Sequence, residues 1–311
     1  MKFGFGVDLG GTTVKLAYFD EAGTMLDKWE IPTDISENGK NILPDIAKSI
    51  NAYLEEKNIS REDIIGVGIG VPGAVNNKGI VAGCDNLGWG HFSVKDVLEP
   101  LVGVKVVAGN DATVAALGEC WKGGGQGYKS MVLVTLGTGV GGGIIINGKA
   151  VHGSTGSAGE IGHMVLNRNE TAICGCGKSG CVEQYCSATG IIRLTKLALA
   201  SSDAPSPLRG KEKFMAKDVF DAAEKGDTIA QGVLNQVYEY MGEFIANICC
   251  VVNPEAIVFG GGVSRAGQRI LDGVKRSFAK WGYHACQDTA FLLATLGNDA
   301  GAYGAFKLVA E

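Results

Sequence analysis

The chain has 311 residues, 46% of them hydrophobic, and a formal net charge of -5. That length and apolar content suit two domains with their own cores and exclude the disordered and fibrous classes. No apolar run approaches the roughly 20 residues of a spanning helix. No Lys/Arg cluster offers the basic face a phosphate backbone requires, so neither membrane nor nucleic acid is an expected partner.

The N-terminal MKFGFGVDLGG enters a core strand at once instead of a basic and then apolar leader, so the cytoplasm is the expected compartment. Residues 3–9 form a short apolar run. After Gly10-Gly11-Thr12-Thr13 comes the alternating VKLAYFD, closed by Asp20-Glu21-Ala22-Gly23, which predicts a strand, a glycine turn and a second strand. NILPDIAKSINAYLEEKN carries helical periodicity, IIGVGIGVPG and KVVAGND read as buried strands, and ATVAALGECWKGG reads as a helix.

The opening plan recurs at residues 131–149. MVLVTLG leads into Thr138-Gly139-Val140-Gly141-Gly142-Gly143 and then IIINGK, with Asn147-Gly148 as a two-residue turn. Matching Val7-Asp8-Leu9-Gly10 with Val134-Thr135-Leu136-Gly137 keeps both hairpins in register, and internal duplication is the simplest reading. Further on, residues 201–213 read as a polar surface loop, DTIAQGVLNQVYEYMGEFIANICCVV as a long helix, AIVFGGG as a strand and AGQRILDGVKRSFAKW as a helix. The closing AGAYGAFKLVAE reads as a helix that packs back on the first domain. Alternating strands and helices predict α/β layers with ligands at the carboxyl ends of strands.

The 48 glycines exceed the average of about 7% and gather behind strand-like segments, where phosphate-binding turns occur. Asp8-Leu9-Gly10-Gly11-Thr12-Thr13 sets a carboxylate at a strand end, then amides that can approach phosphate oxygens, then two hydroxyls. Its other reading is a tight hairpin capped by Asp8. Gly137-Thr138-Gly139 repeats the pattern, with a bulged hairpin as its alternative. Gly260-Gly261-Gly262 suits close approach to a nucleoside or a plain strand-to-helix turn. Neither hairpin loop matches the Walker pattern. Asn110-Asp111 sits between a strand and a helix, where Asn or Asp is the preferred N-cap, and where a carboxylate can also take a proton from a hydroxyl.

Nine cysteines are an odd number. Cys84, Cys120, Cys249, Cys250 and Cys286 stand singly or in apolar runs, as buried thiols do, whereas CGCGKSGCVE concentrates three. Together with His163 in Glu160-Ile161-Gly162-His163, the thiols of Cys174, Cys176 and Cys181 make four N/S ligands, the set of a closed tetrahedral zinc site. A redox site would carry C-x-x-C, and chance clustering is the remaining reading. A closed shell has no open position for water, so such a zinc orders a loop and does no chemistry.

With these pieces in this order the sequence resembles the ROK family of sugar kinases, repressors and open reading frames, within the sugar kinase, heat-shock and actin superfamily. The likeness spans nearly the whole chain, and its specific part is EIGH followed by CGCGKSGCVE. It implies two duplicated actin-like, ribonuclease H-like α/β domains with a cleft between them. These are a small one over residues 1–115, joined by the C-terminal helix 298–311, and a large one over residues 116–297 that holds the zinc loop. It also implies that they close over a sugar and ATP with Mg2+. Gly10, Gly11, Thr12, Thr13, Gly137, Thr138 and Gly139 would lie near the phosphates and Gly260, Gly261 and Gly262 near adenosine, with Asp8 organising the Mg2+.

The same resemblance makes Asp111 the general base for the sugar's primary hydroxyl. It gives the ring hydroxyls to Gly73, Asn110, Glu160, His163 and Glu183, with His163 also a zinc ligand beside Cys174, Cys176 and Cys181. The expected activity is that of a hexokinase making glucose 6-phosphate, and the expected assembly a homo-oligomer, dimer or tetramer. Bacterial glucokinases of the family share EIGH and a segment like Asn86-Leu87-Gly88-Trp89, though fructokinases and N-acetylhexosamine kinases look similar there. A non-catalytic sugar sensor and an actin-like ATPase are the readings from other classes. The first glycine loop begins at residue 10, which leaves no room before it for the helix-turn-helix of the family's repressors.

Overall fold

The structure, a computed structural model, describes residues 2–311. In chain order its elements are β1 (Phe3–Leu9), β2 (Thr13–Asp20), β3 (Met25–Pro32), α1 (Ser36–Gly39), α2 (Ile42–Glu56), β4 (Ile64–Val71), β5 (Ile80–Val81), β6 (Phe92–Ser93), α3 (Val94–Val102), β7 (Val106–Asn110) and α4 (Asp111–Lys122). There follow β8 (Met131–Leu136), β9 (Val140–Ile146), β10 (Lys149–Ala150), α5 (Glu183–Cys186), α6 (Ala188–Ala200), α7 (Ala216–Glu224), α8 (Thr228–Val252), β11 (Ala256–Gly260), α9 (Gln268–Trp281), β12 (Ala290–Leu293) and α10 (Ala300–Ala310).

Both glycine hairpins form as their patterns require. Among the described residues one five-stranded sheet has the order β3-β2-β1-β4-β7 and another the order β10-β9-β8-β11-β12, so each strand of the first has a counterpart at the same place in the second. Duplication is therefore visible in topology as well as in sequence. The edge strands β3 and β12 were not read from the sequence. MLDKWEIP is mostly exposed and charged and lacks the apolar run of a central strand, whereas β12, AFLL, is apolar but only four residues long, too short to tell from a helix segment or a buried loop by pattern.

Strand pairing positions the first site. Strand β1 runs antiparallel to β2 and parallel to β4, with Asp8 opposite Lys15 on one side and Gly70 on the other. Strand β4 runs parallel to β7, with Gly70 opposite Gly109 and Val71 opposite Asn110. Asp8 and the Asn110-Asp111 corner thus share the carboxyl edge of this sheet, two strands apart or roughly 10 Å.

Packing divides the chain into two compact units. The first comprises Met1–Leu133, Gly143–Gly159 and Thr295–Glu311, the second Val134–Gly142 and Glu160–Ala294. A boundary at 115/116 would cut α4, which packs along its whole length against α10 and so belongs entirely to the first unit. Helix α10 returns to that unit by backbone contact. A Cβ on Gly6 would overlap the Ala302 carbonyl, one on Gly68 the Ala305 carbonyl, one on Gly118 the Ala300 carbonyl and one on Gly304 the Val114 carbonyl. Phe306 stacks on Phe19 at 4.8 Å between centroids, sealing the contact. Many glycines therefore serve close packing of a helix on a sheet, where composition alone suggested phosphate turns.

The segment α1 is a left-handed turn: Glu37, Asn38 and Gly39 have φ of 50°, 59° and 66°. Left-handed residues other than glycine cost roughly 1–2 kcal/mol each. The turn is held by Trp89 Nε1, which donates to the Gly39 carbonyl at 3.0 Å, and Gly88 lies against it where a Cβ would come within 2.8 Å of Asn38 Cα.

Gly304→Ala tests the helix contact. It forces α4 and α10 apart, costs about 2 kcal/mol and lowers the melting temperature by several degrees. An unchanged melt would show that the crossing tolerates a methyl group.

Candidate active site and cysteine-histidine cluster

Asn110 ends β7 and caps α4. Its Oδ1 accepts from the Thr113 N–H at 3.0 Å, and its Nδ2 donates to the Gly73 carbonyl at 2.9 Å and to Asp111 Oδ1 at 3.0 Å. The N-cap reading of this residue is thus correct, and the side chain is buried, with 8% of the residue exposed. Asp111 occupies the first turn of α4, where the helix dipole favours a carboxylate, and its Oδ1 also accepts from the Ala112 N–H at 2.7 Å. Gly73 has φ +91°, and a Cβ there would lie 2.7 Å from the Gly83 carbonyl, so the carbonyl that Asn110 grips requires glycine. These three residues form one rigid corner.

At the other end of the same edge, burial pushes the Asp8 carboxyl above its usual range, and Lys15, with Nζ 3.4 Å from Oδ2, pulls it back. Such a carboxylate gains from a nearby cation, which fits a Mg2+ site. Gly301 at the start of α10 approaches closely: a Cβ would fall 2.6 Å from Asp8 Cγ. In the adjacent loop the Gly10 amide is spent on the Thr13 carbonyl at 3.1 Å, while those of Gly11 and Thr12 have no partner among the described residues.

The second loop follows the same rule. The Gly137 amide closes onto the Gly139 carbonyl at 3.0 Å, and the Thr138 and Gly139 amides have no partner among the described residues. Each loop therefore presents two adjacent N–H groups and a threonine hydroxyl, a donor set that fits phosphate oxygens. The third run has a packing reason. Gly261 has φ +83°, and a Cβ would meet the backbone of Leu136 at 2.6 Å; Gly260 ends β11 and Gly262 leads into the turn before α9.

Glu160 precedes the single turn Ile161–His163, which ends in His163. His163 Nδ1 lies 3.8 Å from Cys174 Sγ, the Cys176 and Cys181 sulfurs are 3.6 Å apart, and all four ligand atoms fall within 4.8 Å of one another. Zinc-bound sulfurs at about 2.3 Å in a tetrahedron stand about 3.8 Å apart, so the residues fit that ion. Burial pushes the Cys181 thiol up to about 12 and raises that of Cys174, whereas a hydrogen bond from the Lys178 amide lowers that of the exposed Cys176. Glu183 opens α5 beside this cluster. Its Oε1 lies 3.7 Å from Cys174 Sγ, its Oε2 accepts from the Val140 N–H at 3.0 Å, and a Cβ on Gly139 would displace that carboxylate from its present place.

The family model described as the ROK family matches residues 4–311. The chain belongs to the ROK family. It is 44% identical over 311 residues to a glucokinase of Halalkalibacterium halodurans, covering 98% of this chain and 94% of that one. Among solved structures, a ROK family glucokinase from Streptomyces griseus, described in complex with glucose and AMPPNP, is 34% identical, covers 98% of each chain and has a TM-score of 0.76. A ROK hexokinase from Thermus thermophilus is 28% identical, with a TM-score of 0.81 over 99% of this chain and 97% of that one. The fold is accordingly the two-domain actin-like ATPase fold.

Two carboxylates of this ROK protein, one buried and one partly buried, escaped the sequence reading. Glu119, 1% exposed, accepts from the Gly124, Thr295 and Leu296 amides at 2.8–3.0 Å and ties the end of α4 to the approach to α10. Glu170, in the loop between His163 and Cys174, accepts from the Tyr185 hydroxyl at 2.7 Å, Arg193 Nη2 at 2.9 Å and the Thr171 and Ala172 amides at 3.0 Å. The Tyr185 hydrogen bond leads in holding the Glu170 carboxyl down to about 2, against an ordinary 4.5. The distant partners, the Thr295 and Leu296 amides for Glu119 and the Tyr185 and Arg193 side chains for Glu170, leave no local pattern, so no sequence signal marks either residue.

The Glu170 network anchors the cysteine loop independently of metal and gives it a defined acid response. A folded-state value below the unfolded one contributes stability that is complete above pH about 4.5 and is lost as the pH falls toward 2. Glu170→Gln therefore melts below the parent at pH 6, and the gap closes between pH about 4.5 and 2, as calorimetric scans would record. A gap independent of pH would refute the ionic role.

Proposed function

We propose that this chain is an ATP-dependent hexokinase that phosphorylates the 6-hydroxyl of glucose. The observation that carries the reading is the near-full-length likeness to the Halalkalibacterium halodurans glucokinase. The corner built by Gly73, Asn110 and Asp111 supplies a group for the reaction. Asp111 is the general base, fixed by two N–H donors on Oδ1. The O6 proton passes to its carboxylate as O6 attacks the γ-phosphorus; the bond from phosphorus to the bridging oxygen breaks, and ADP leaves.

Asn110 and Gly73 orient that base, and with Glu160, His163 and Glu183 they are the proposed contacts of the ring hydroxyls. Carboxylates and amides suit this task because a wrong epimer leaves one of them buried and unpaired, at a cost of about 1–3 kcal/mol. The paired amides and hydroxyls of Gly10 to Thr13 and Gly137 to Gly139 are the proposed phosphate donors, and Gly260 to Gly262 the proposed adenosine neighbours. Mg2+, when bound near Asp8, would neutralise charge on the transferred group. His163, Cys174, Cys176 and Cys181 would hold a structural zinc, which fixes the ring of His163 and the loop leading to Glu183. A cytoplasmic homo-oligomer, dimer or tetramer, completes the proposal.

One ATP-consumption assay across glucose, fructose, mannose, N-acetylglucosamine and N-acetylmannosamine tests the activity. Glucose gives the highest kcat/KM, and no turnover with any of them would refute the kinase reading. Asp111→Ala lowers turnover about a hundred- to ten-thousandfold while calorimetry still detects sugar binding; surviving turnover would move the base elsewhere. Cys176→Ser loses zinc on metal analysis, melts earlier and raises the KM for glucose. A folded, zinc-free variant with unchanged sugar kinetics would remove the zinc from substrate binding.

A further inference from the structure

The segment that begins with Glu183 grips the second glycine loop residue by residue. The Ala188 N–H donates to the Gly137 carbonyl at 2.8 Å, Thr189 Oγ1 donates to the Thr138 carbonyl at 2.7 Å, and Glu183 Oε2 accepts from the Val140 N–H at 3.0 Å. Behind this row stands Ser187, fully buried. Its hydroxyl donates to the Glu183 carbonyl at 2.6 Å, caps α6 through the Gly190 N–H at 2.9 Å and lies 2.9 Å from Thr189 Oγ1.

Peptide geometry turns this grip into an orientation. In a planar trans peptide the carbonyl of one residue and the N–H of the next point in opposite directions. Holding the Gly137 carbonyl therefore aims the Thr138 N–H away from α6, and holding the Thr138 carbonyl aims the Gly139 N–H the same way. Those are the two amides of the loop without a partner among the described residues. Neither packing nor capping accounts for Thr189: it is exposed, Ser187 already caps the helix, and threonine is a modest helix former.

We infer that Thr189 is a positioning residue for nucleotide, its hydroxyl locking the Thr138–Gly139 peptide so that two adjacent amides face a phosphate oxygen. This rests on the proposal that the loop receives ATP. The bond is neutral and exposed, so its loss costs about three- to tenfold.

Thr189→Val, which keeps the shape and removes the donor, raises the KM for ATP three- to tenfold. The KM for glucose stays within twofold, the melting temperature is unchanged, and Thr189→Ser restores the parent values. Unchanged ATP kinetics, an equal rise in both KM values or failure of Ser to rescue would each overturn the inference. Amide hydrogen exchange on the parent protein, with and without a non-hydrolysable ATP analogue, separates the layers. Protection of the Thr138 and Gly139 amides is expected. Its absence overturns the phosphate reading of the loop and the inference with it; protection combined with a silent Thr189→Val overturns the inference alone.

Discussion

Helix α10 meets the first unit backbone to backbone at several glycines, with Phe306 stacked on Phe19 beside them, and that close contact bears on the placement of the carboxyl edge of the sheet. Gly6 and Gly68 clear a path for it across β1 and β4, Gly118 and Gly304 let it cross α4, and Gly301 brings its first turn against Asp8. The position of α4 follows, and with it the corner where Asn110 caps the helix and Asp111 opens it. Burial of Glu119 under three backbone amides fixes the other end of the same helix. An unpaired carboxylate there would be costly, so this anchor allows little slack.

Repetition of one strand order in two sheets explains why two loops of unlike sequence do the same thing. In each, the glycine after the first strand spends its amide on closing the turn, through the carbonyl of Thr13 in one and of Gly139 in the other, and the next two amides are left over. What differs is the support. Gly10 and Thr12 lend their carbonyls to the hydroxyl and amide of Thr33, whereas Gly137 and Thr138 lend theirs to α6. The second loop is thereby tied to the segment that also carries Glu183 and the last cysteine of the cluster.

What the sequence disclosed follows from how local each signal is. The hairpins, the long helix α8 and the cysteine-histidine set were readable because period, turn residues and ligand types are written in contiguous stretches. Asn110 and Asp111 were readable as a cap, and their place at a strand end followed from the alternation of elements. Glu119, Glu170 and Thr189 were not, since Glu119 and Thr189 meet backbone groups that any residue could supply, and the side-chain partners of Glu170, Tyr185 and Arg193, lie 15 and 23 residues along the chain. The glycines misled in part: Gly6, Gly68, Gly118 and Gly304 look like loop formers by composition, yet they lie inside strands and helices as clearance for a neighbour.

The return of α10 also imposes an order in time. Phe19 and the bare backbone of Gly6 and Gly68 on one face of the first sheet wait for Ala302, Ala305 and Phe306, which a ribosome adds some 280 residues after Phe19. The second unit, by contrast, is complete once residue 294 is made. The unit that is begun first is therefore the one finished last, and one face of its sheet goes without its covering helix until residues 300–310 are made.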